Sequence, residues 1–209
     1  MLAAGLPAET AREYLHALSL EDVVVACINS PSSVTLSGNE NQIDQLAEYL
    51  QAKGLFARKL RVDTAYHSPY MRALADDYRD SIASIKPVNL HQGKIAMFSS
   101  VTKTRIQHPE ELGPDYWIRN LVSPVEFATA VGQLATMSES GPRRRRPVGV
   151  PWVAILEIGP HEALKGPFTQ TVQEVNASLT SLPYLSLVQR KKHALHTSLQ
   201  VAGVLWSIG

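Results

Sequence analysis

The sequence has 209 residues, of which 44% are hydrophobic and 19% charged, an ordinary composition for a globular protein that can bury a core. Its 20 basic and 19 acidic residues give a net charge of +1, which excludes a general electrostatic attraction to nucleic acid or to a membrane surface. The single cysteine, Cys27, excludes an internal disulfide. No apolar run approaches the roughly 18 residues of a membrane span. We therefore expect a soluble, cytoplasmic protein.

The first 62 residues predict a small α/β subdomain. Its elements are, in chain order, a strand near the N-terminus, a helix over 7–18, strands over 23–28 and 34–36, a helix that Asn39 caps and Gly54 ends, and a strand over 55–62. The order strand, helix, strand, strand, helix, strand is that of a ferredoxin-like (βαββαβ) domain. We therefore predict a ferredoxin-like subdomain over residues 1–62.

From residue 63 onward, helices and strands alternate. The predicted elements are helices over 71–85, 164–175 and 194–208, a helix that starts at Ser123, and strands over 95–101, 152–158 and 184–188. In the last helix, the stripe predicted to be buried consists of Leu195, Leu199, Ala202, Leu205 and Trp206. This pattern is typical of an α/β core over residues 63–209.

A proline- and glycine-rich segment over 138–151 interrupts the core pattern and carries four consecutive arginines at 143–146. A run of like charges repels itself and stays solvated, so we predict a flexible basic loop. The alternative is a contact with a phosphate or with nucleic acid, although no aromatic residues lie among the arginines to stack on bases. No HExxH, paired-cysteine or clustered-histidine spacing predicts a metal site.

His67 stands at the junction between the predicted strand over 55–62 and the next helix. Ser68 and Pro69 supply the N-cap and the first position of that helix. Such a junction is where α/β enzymes place catalytic residues, and imidazole titrates near neutral pH. The residues alone leave a second interpretation open, in which the imidazole only bonds a neighbouring carbonyl.

Several longer segments run in order over nearly the whole chain. They are VVVACINSP at 23–31, VTLSG at 34–38, VDTAYHS at 62–68, YWIRNLVSPVEF at 116–127, LEIGPH at 156–161 and LHTSL at 195–199. Together they resemble the acyltransferase domain of fungal highly reducing iterative type I polyketide synthases, a branch of the malonyl-CoA:acyl carrier protein transacylase family.

The resemblance implies an active site built around His67. In that family a serine in a G-H-S-x-G turn attacks the malonyl thioester, and the histidine that His67 matches accepts its proton. A backbone carbonyl orients the imidazole, and it maps to Glu126 or a neighbour. Tyr66 matches the position whose ring favours malonyl over methylmalonyl, while Asn29 and Ser68 are the other predicted substrate contacts.

Each of these assignments has an ordinary structural alternative. Tyr66 could simply pack beside the histidine, Asn29 could cap its turn, and Glu126 could be a solvated helix residue. The resemblance also implies malonyl-CoA as the substrate, no cofactor or metal, and an acyl carrier protein as the partner whose phosphopantetheine receives the malonyl group. Neither nucleic acid nor a membrane is an expected partner.

The sequence departs from the family in one respect, because it contains no G-x-S-x-G motif. The nearest serines, Ser37 and Ser68, lack the flanking glycines. Since Met1 aligns with the interior of the family's domain, we expect the chain to be a C-terminal portion, a ferredoxin-like subdomain plus the C-terminal part of an α/β-hydrolase-like core. We expect no transacylase activity from it alone. The alternative is a non-catalytic module that docks a carrier protein or another synthase domain.

Overall fold

A computed structural model describes residues 1–88, 95–137 and 152–209 of the chain. The chain divides into two compact units, Met1–Gln133 and Leu134–Gly209, so the boundary predicted after residue 62 lies inside the first unit. The predicted basic loop over 138–151 lies outside the described residues. Within the described ranges, no helix is long and apolar enough to cross a membrane.

The first unit opens with six elements in the predicted order. They are β1 (Leu2–Ala4), α1 (Ala8–Ala17), β2 (Val23–Ser30), β3 (Ser33–Gly38), α2 (Glu40–Ala52) and β4 (Ala57–Lys59). The four strands form one antiparallel sheet in the order β2-β3-β1-β4. Leu2 of β1 lies opposite Leu36 of β3 on one side and opposite Lys59 of β4 on the other. The last strand ends at Lys59, earlier than predicted.

Strands and helices of this part of the unit share one apolar core. Its buried members are Leu2, Ala4, Leu6, Ala11, Leu20, Val23, Val25, Val34, Leu36, Ile43, Leu46 and Leu50. The last three repeat at helical spacing along α2 and give it one buried face. As predicted, the Asn39 side chain caps α2 by accepting the amides of Asn41 and Gln42, and Gly54, with a φ of +72°, follows the end of the helix.

The rest of the first unit is mainly helical. It contains a 3-10 helix (Pro69–Leu74), α3 (Ala75–Ser81), a second 3-10 helix (Pro109–Leu112), α4 (Pro114–Val122) and α5 (Phe127–Ala135), the last of which runs across the boundary between the units. The single helix predicted over 71–85 is therefore wrong. Met71 is buried but Leu74 is half exposed, so the predicted stripe lacks a continuous buried face to support one long helix.

The strand predicted over 95–101 is also wrong, because only Phe98 makes a bridge, with Arg105. The buried hydroxyl of Ser99 accepts the backbone amides of Val101 and Thr102 at 3.0 and 3.1 Å and turns the chain at that point. A serine that bonds its own backbone two and three residues on competes with strand pairing.

The second unit contains a parallel pair of strands joined by a helix. Its elements are β5 (Ile155–Glu157), α6 (Lys165–Val175), a 3-10 helix (Ala177–Ser181), β6 (Tyr184–Ser186) and α7 (Ala194–Ile208). β5 and β6 pair in parallel, with α6 in the crossover that parallel strands require. Both strands are shorter than predicted.

Helix α7 has the predicted bounds but buries a different face. Leu195 and Leu199 are each 62% exposed and Trp206 is 89% exposed, whereas Thr197 and Val201 are buried. The Thr197 hydroxyl lies 3.0 Å from the carbonyl oxygen of Leu187, just after β6. This contact turns the polar threonine inward, so the predicted buried stripe is wrong for the described residues.

Gly38 is the position in the sheet where glycine is required by a close backbone contact. It ends β3 opposite Val23 of β2, and a Cβ atom there would lie 1.9 Å from the carbonyl oxygen of Asp22. The same carbonyl accepts the backbone N–H of Asn39 at 3.1 Å. The chain therefore enters α2 along a path that leaves no room for a side chain at residue 38.

Replacing Gly38 by alanine should destabilise the fold by about 1–3 kcal/mol, since the added methyl group must displace backbone atoms. The matched control is Gly203→Ala in α7, where nothing lies within 4 Å of the added Cβ, and this change should be neutral or slightly stabilising. Urea denaturation of both variants measures the difference. Equal free energies of unfolding would contradict the prediction.

Candidate active site

His67 lies in the turn between β4 and the helix that starts at Pro69. Its backbone adopts a φ of +57°, in the left-handed region where histidine is one of the more tolerated side-chain-bearing residues. Its side chain is half buried, and its Nδ1 lies 3.0 Å from the backbone carbonyl oxygen of Asn120 in α4. The hydrogen bond joins two parts of the first unit that are 53 residues apart in the chain.

The partner atom fixes the protonation pattern of the neutral ring. A carbonyl oxygen can only accept a hydrogen bond, so Nδ1 must carry the proton that it donates to Asn120. Nε2 of the same neutral imidazole then holds the lone pair. The arrangement presents a base whose accepting nitrogen is on the far side of the ring from Asn120.

The acceptor is Asn120 and not the predicted Glu126. The Glu126 carbonyl accepts the amide of Ala130 at 3.0 Å, and its buried carboxylate pairs with Lys103 at 2.7 Å and accepts the Thr129 hydroxyl at 3.1 Å. Glu126 therefore stabilises the start of α5. The signal for the true acceptor was Pro124, because a proline four residues after Asn120 has no N–H to bond that carbonyl inside a helix.

The residues on either side of His67 have different environments. Ser68 is 1% exposed, and its hydroxyl donates to the carbonyl of Ala65 at 2.5 Å. This geometry favours closure of the turn over the predicted substrate contact. Tyr66, by contrast, is 45% exposed, so part of its side chain is accessible to a ligand.

Asn29 lies near the end of β2, and its side-chain amide donates to the Thr35 hydroxyl across the hairpin at 3.1 Å. The same end of β2 forms backbone hydrogen bonds with Val125, in the segment that follows α4. The amide of Ile28 donates to the carbonyl of Val125 at 2.8 Å, and the amide of Val125 donates to Ala26 at 2.8 Å. The sheet thus fixes the backbone just beyond Asn120.

Side-chain contacts also hold α4 itself in place. The hydroxyls of Ser99 and Tyr116 lie 3.0 Å apart in the interior, and Trp117 donates its indole N–H to the carbonyl of Leu112 at 3.0 Å. The two aromatic rings pack edge to face with their centroids 5.1 Å apart. These contacts orient the helix whose last turn carries the acceptor for His67.

Ser37 and Cys27, two other potentially reactive residues, are not placed for chemistry. Ser37 is fully buried in β3 and cannot meet a substrate. Burial raises the pKa of the Cys27 thiol above its ordinary value, so the thiol stays protonated at neutral pH. In the described ranges, no group of three or more His, Cys, Asp or Glu side chains is placed to hold a metal ion.

In the second unit, the LEIGPH segment forms a structural cap. The Glu157 carboxylate accepts the amides of Ala163 and Leu164 at 2.9 and 3.1 Å, just before α6, and the hydroxyl of Tyr184 at 2.7 Å. Burial and this hydrogen bond raise the pKa of Tyr184, so the phenol remains a donor. His161 lies on the surface with its Nε2 3.5 Å from Arg190.

Comparisons of the sequence with family models and with curated proteins agree on one family. The profile of the family described as "Acyl transferase domain" matches residues 1–208. The chain is 56% identical over 209 residues to the highly reducing polyketide synthase cnsI of Penicillium expansum, covering 100% of this chain and 9% of that protein. It is 48% identical over 216 residues to the highly reducing polyketide synthase alnA of Emericella nidulans, covering 100% of this chain and 8% of that protein. The chain therefore spans less than a tenth of these curated relatives.

Solved structures share the fold at lower identity. The acyltransferase domain from module 8 of the salinomycin polyketide synthase matches with a TM-score of 0.78 and 22% identity, over 100% of this chain and 44% of that one. Malonyl CoA-acyl carrier protein transacylase from Clostridium perfringens matches with a TM-score of 0.70 and 20% identity, over 99% of this chain and 58% of that one. Both similarities extend over essentially all of the chain.

The backbone conformation of His67 allows a prediction about the stability of variants at this position, independent of any catalytic role. Because its φ is positive, His67→Gly should be more stable than His67→Ala by about 1 kcal/mol. The matched control is His16, which is exposed and helical in the last turn of α1, where glycine should lose its advantage and alanine should be the more stable variant. Thermal unfolding of the four variants tests the reversal, and the same order at both positions would contradict it.

Proposed function

The chain belongs to the acyl transferase domain family, and we propose that it is the part of a polyketide synthase acyltransferase that carries the catalytic base for transfer of a malonyl unit from CoA to an acyl carrier protein. The observation that carries the proposal is the hydrogen bond from His67 to Asn120, which leaves Nε2 of the imidazole as the proton acceptor. The relatives named as highly reducing polyketide synthases support the biosynthetic setting. The transacylase from Clostridium perfringens supports the malonyl and carrier-protein chemistry.

The proposed reaction is a two-step exchange in which His67 is base and then acid. Nε2 takes the proton of a serine hydroxyl as that oxygen attacks the thioester carbonyl, and the imidazolium then returns the proton to the departing CoA sulfur. The malonyl group is left as a serine ester. In the second step His67 deprotonates the phosphopantetheine thiol of the carrier protein, the thiolate attacks the ester, and the serine recovers its proton. No redox step or cofactor enters this balance.

The serine is proposed to come from a segment other than the 209 residues, which contain no G-x-S-x-G motif. The coverage of 44% of the salinomycin acyltransferase domain supports a domain larger than this chain. On this proposal residues 1–62 are the ferredoxin-like subdomain, a view that the sheet order β2-β3-β1-β4 supports. Residues 63–209 are the C-terminal part of an α/β-hydrolase-like core. A cytoplasmic location, expected from the single cysteine, belongs with this proposal.

Tyr66 is proposed to select the acyl group. Tyr66 directly precedes His67 in the chain and is 45% exposed, which supports a place for its ring near a substrate bound at His67. An aromatic ring at this position occupies the space that a methyl branch on the malonyl carbon would need. Asn29 remains a proposed substrate contact, although its amide is bonded to Thr35.

His67→Ala in a complete acyltransferase domain that contains this chain should reduce the rate of acylation by malonyl-CoA by about 100-fold to 10,000-fold, as expected for loss of a general base. The matched control is His16→Ala, an exposed histidine in α1, which should leave the rate unchanged. Stopped-flow or quenched-flow acylation with labelled malonyl-CoA measures both. A His67→Ala rate within a few-fold of the parent would overturn the proposed function.

Tyr66→Ala should change selectivity more than rate. Removing the ring should increase the ratio of methylmalonyl to malonyl acylation by about 10-fold to 200-fold, the range for one methyl group in a pocket. Tyr70→Ala is the control, since that ring is also about half exposed and lies four residues further along the chain. Competition between the two CoA esters gives the ratio directly. A ratio that moves equally in both variants would contradict a specific role for Tyr66.

A further inference from the structure

The carbonyl that holds His67 is available because α4 ends where it does. The last four carbonyls of a helix have no amide donor within the helix. The amide of Ser123 donates to the carbonyl of Arg119 at 2.9 Å, which is the last such bond of α4. The donor for Asn120 would be the amide of residue 124, and that residue is a proline without an N–H. Nδ1 of His67 donates to the Asn120 carbonyl in place of that amide.

Pro124 also accounts for the direction in which the chain leaves the helix. A residue that precedes proline is disfavoured in the helical region, and Ser123 has φ and ψ of −105° and 158°. Val125 then pairs with Ala26 and Ile28 of β2 through both its amide and its carbonyl. In the parent chain the helix therefore ends before it can supply a backbone donor to the Asn120 carbonyl, and Pro124 is the residue that removes this donor outright.

We propose that Pro124 is a positioning residue for His67, an inference that rests on the proposed role of His67 as the base. By ending α4 at Ser123 and supplying no competing amide, the proline reserves the Asn120 carbonyl for Nδ1 of the imidazole. Pro124 acts through Asn120 and His67 and needs no contact with substrate. Its effect is to keep the proton on Nδ1 and the lone pair on Nε2.

This role makes Pro124→Ala different from an ordinary loss of a proline. The alanine supplies an N–H at the residue whose amide would bond Asn120 in a continued helix, and it releases Ser123 from its bias toward extended backbone. The new amide competes with the imidazole for the Asn120 carbonyl, so the hydrogen bond from Nδ1 weakens and the tautomer with the proton on Nε2 gains population. Pro124→Val also brings an N–H but favours extended backbone, so its effect should be smaller.

The experiment uses the complete acyltransferase domain with 15N-labelled histidine. NMR of the ring nitrogens reports the tautomer of His67, whose signals are assigned by their loss in His67→Ala. Acylation by malonyl-CoA gives kcat and KM for the same samples. Pro114→Ala is the matched control, because Pro114 begins the same helix at a position where no amide is needed.

We expect the parent and Pro114→Ala to show protonated Nδ1. Pro124→Ala should shift His67 toward the other tautomer and lower kcat by about 10-fold or more with little change in KM, since a small displacement of a catalytic group has effects of this order. Pro124→Val should fall between them. Parent-like tautomer and rate in both Pro124 variants would overturn the inference, and so would a loss of rate with an unchanged His67 signal. A parent-like rate in His67→Ala would instead refute the proposed function, while the tautomer measurement would still report on Pro124.

Discussion

The hydrogen bond between the His67 ring and the Asn120 carbonyl is the interaction on which the candidate site depends. It fixes the tautomer of the neutral ring, because the acceptor has no proton to give and leaves Nδ1 only the role of donor. A backbone acceptor does this without placing a charge beside the ring. The position of this acceptor is set by the helix to which it belongs, so the geometry of the imidazole is a property of α4 and of its surroundings.

Those surroundings consist of contacts that have no chemical role of their own. Tyr116 meets Ser99 in the interior near the start of α4, and Val125 joins β2 directly beyond its end. The carboxylate of Glu126 and the ammonium of Lys103 then hold the beginning of α5. A histidine on a turn can be held accurately in this way, because the atom it bonds is fixed on both sides by regular structure.

The features of the fold and of the candidate site that depend on side-chain type could be predicted from the sequence, and those that depend on backbone atoms could not. The elements of residues 1–59 followed from short apolar and β-branched runs, from helical spacing, and from the cap at Asn39 and the glycine at residue 54, all of which are local signals. His67 could be proposed as a candidate site residue from its motif. The acceptor could not be identified from residue type, because every residue carries a carbonyl and only the end of the helix makes one of them free.

The errors elsewhere have a related cause. The bounds of α7 were predicted correctly, but its buried face was not: Leu199 is largely exposed in the described structure, while Thr197 is buried. Apolar spacing tells which side chains can be buried, and it does not tell which surface covers them. At residues 95–101, the Ser99 hydroxyl bonds the backbone of residues 101 and 102, and the chain turns there. In both places a polar side chain bonds the backbone at a position where the apolar pattern predicted another structure.

A site that relies on a backbone carbonyl carries its sequence requirements at other positions. Substituting Asn120 changes a side chain and leaves the carbonyl in place, so the requirement moves to residues that decide whether that oxygen is free and where it lies. Pro124 meets the first condition because it offers no amide, and the pairing of Val125 with β2 meets the second. The choice of amino acid at positions that touch neither substrate nor the imidazole can therefore be as restricted as at His67 itself. The physical reason is that these positions decide which donor the Asn120 carbonyl accepts.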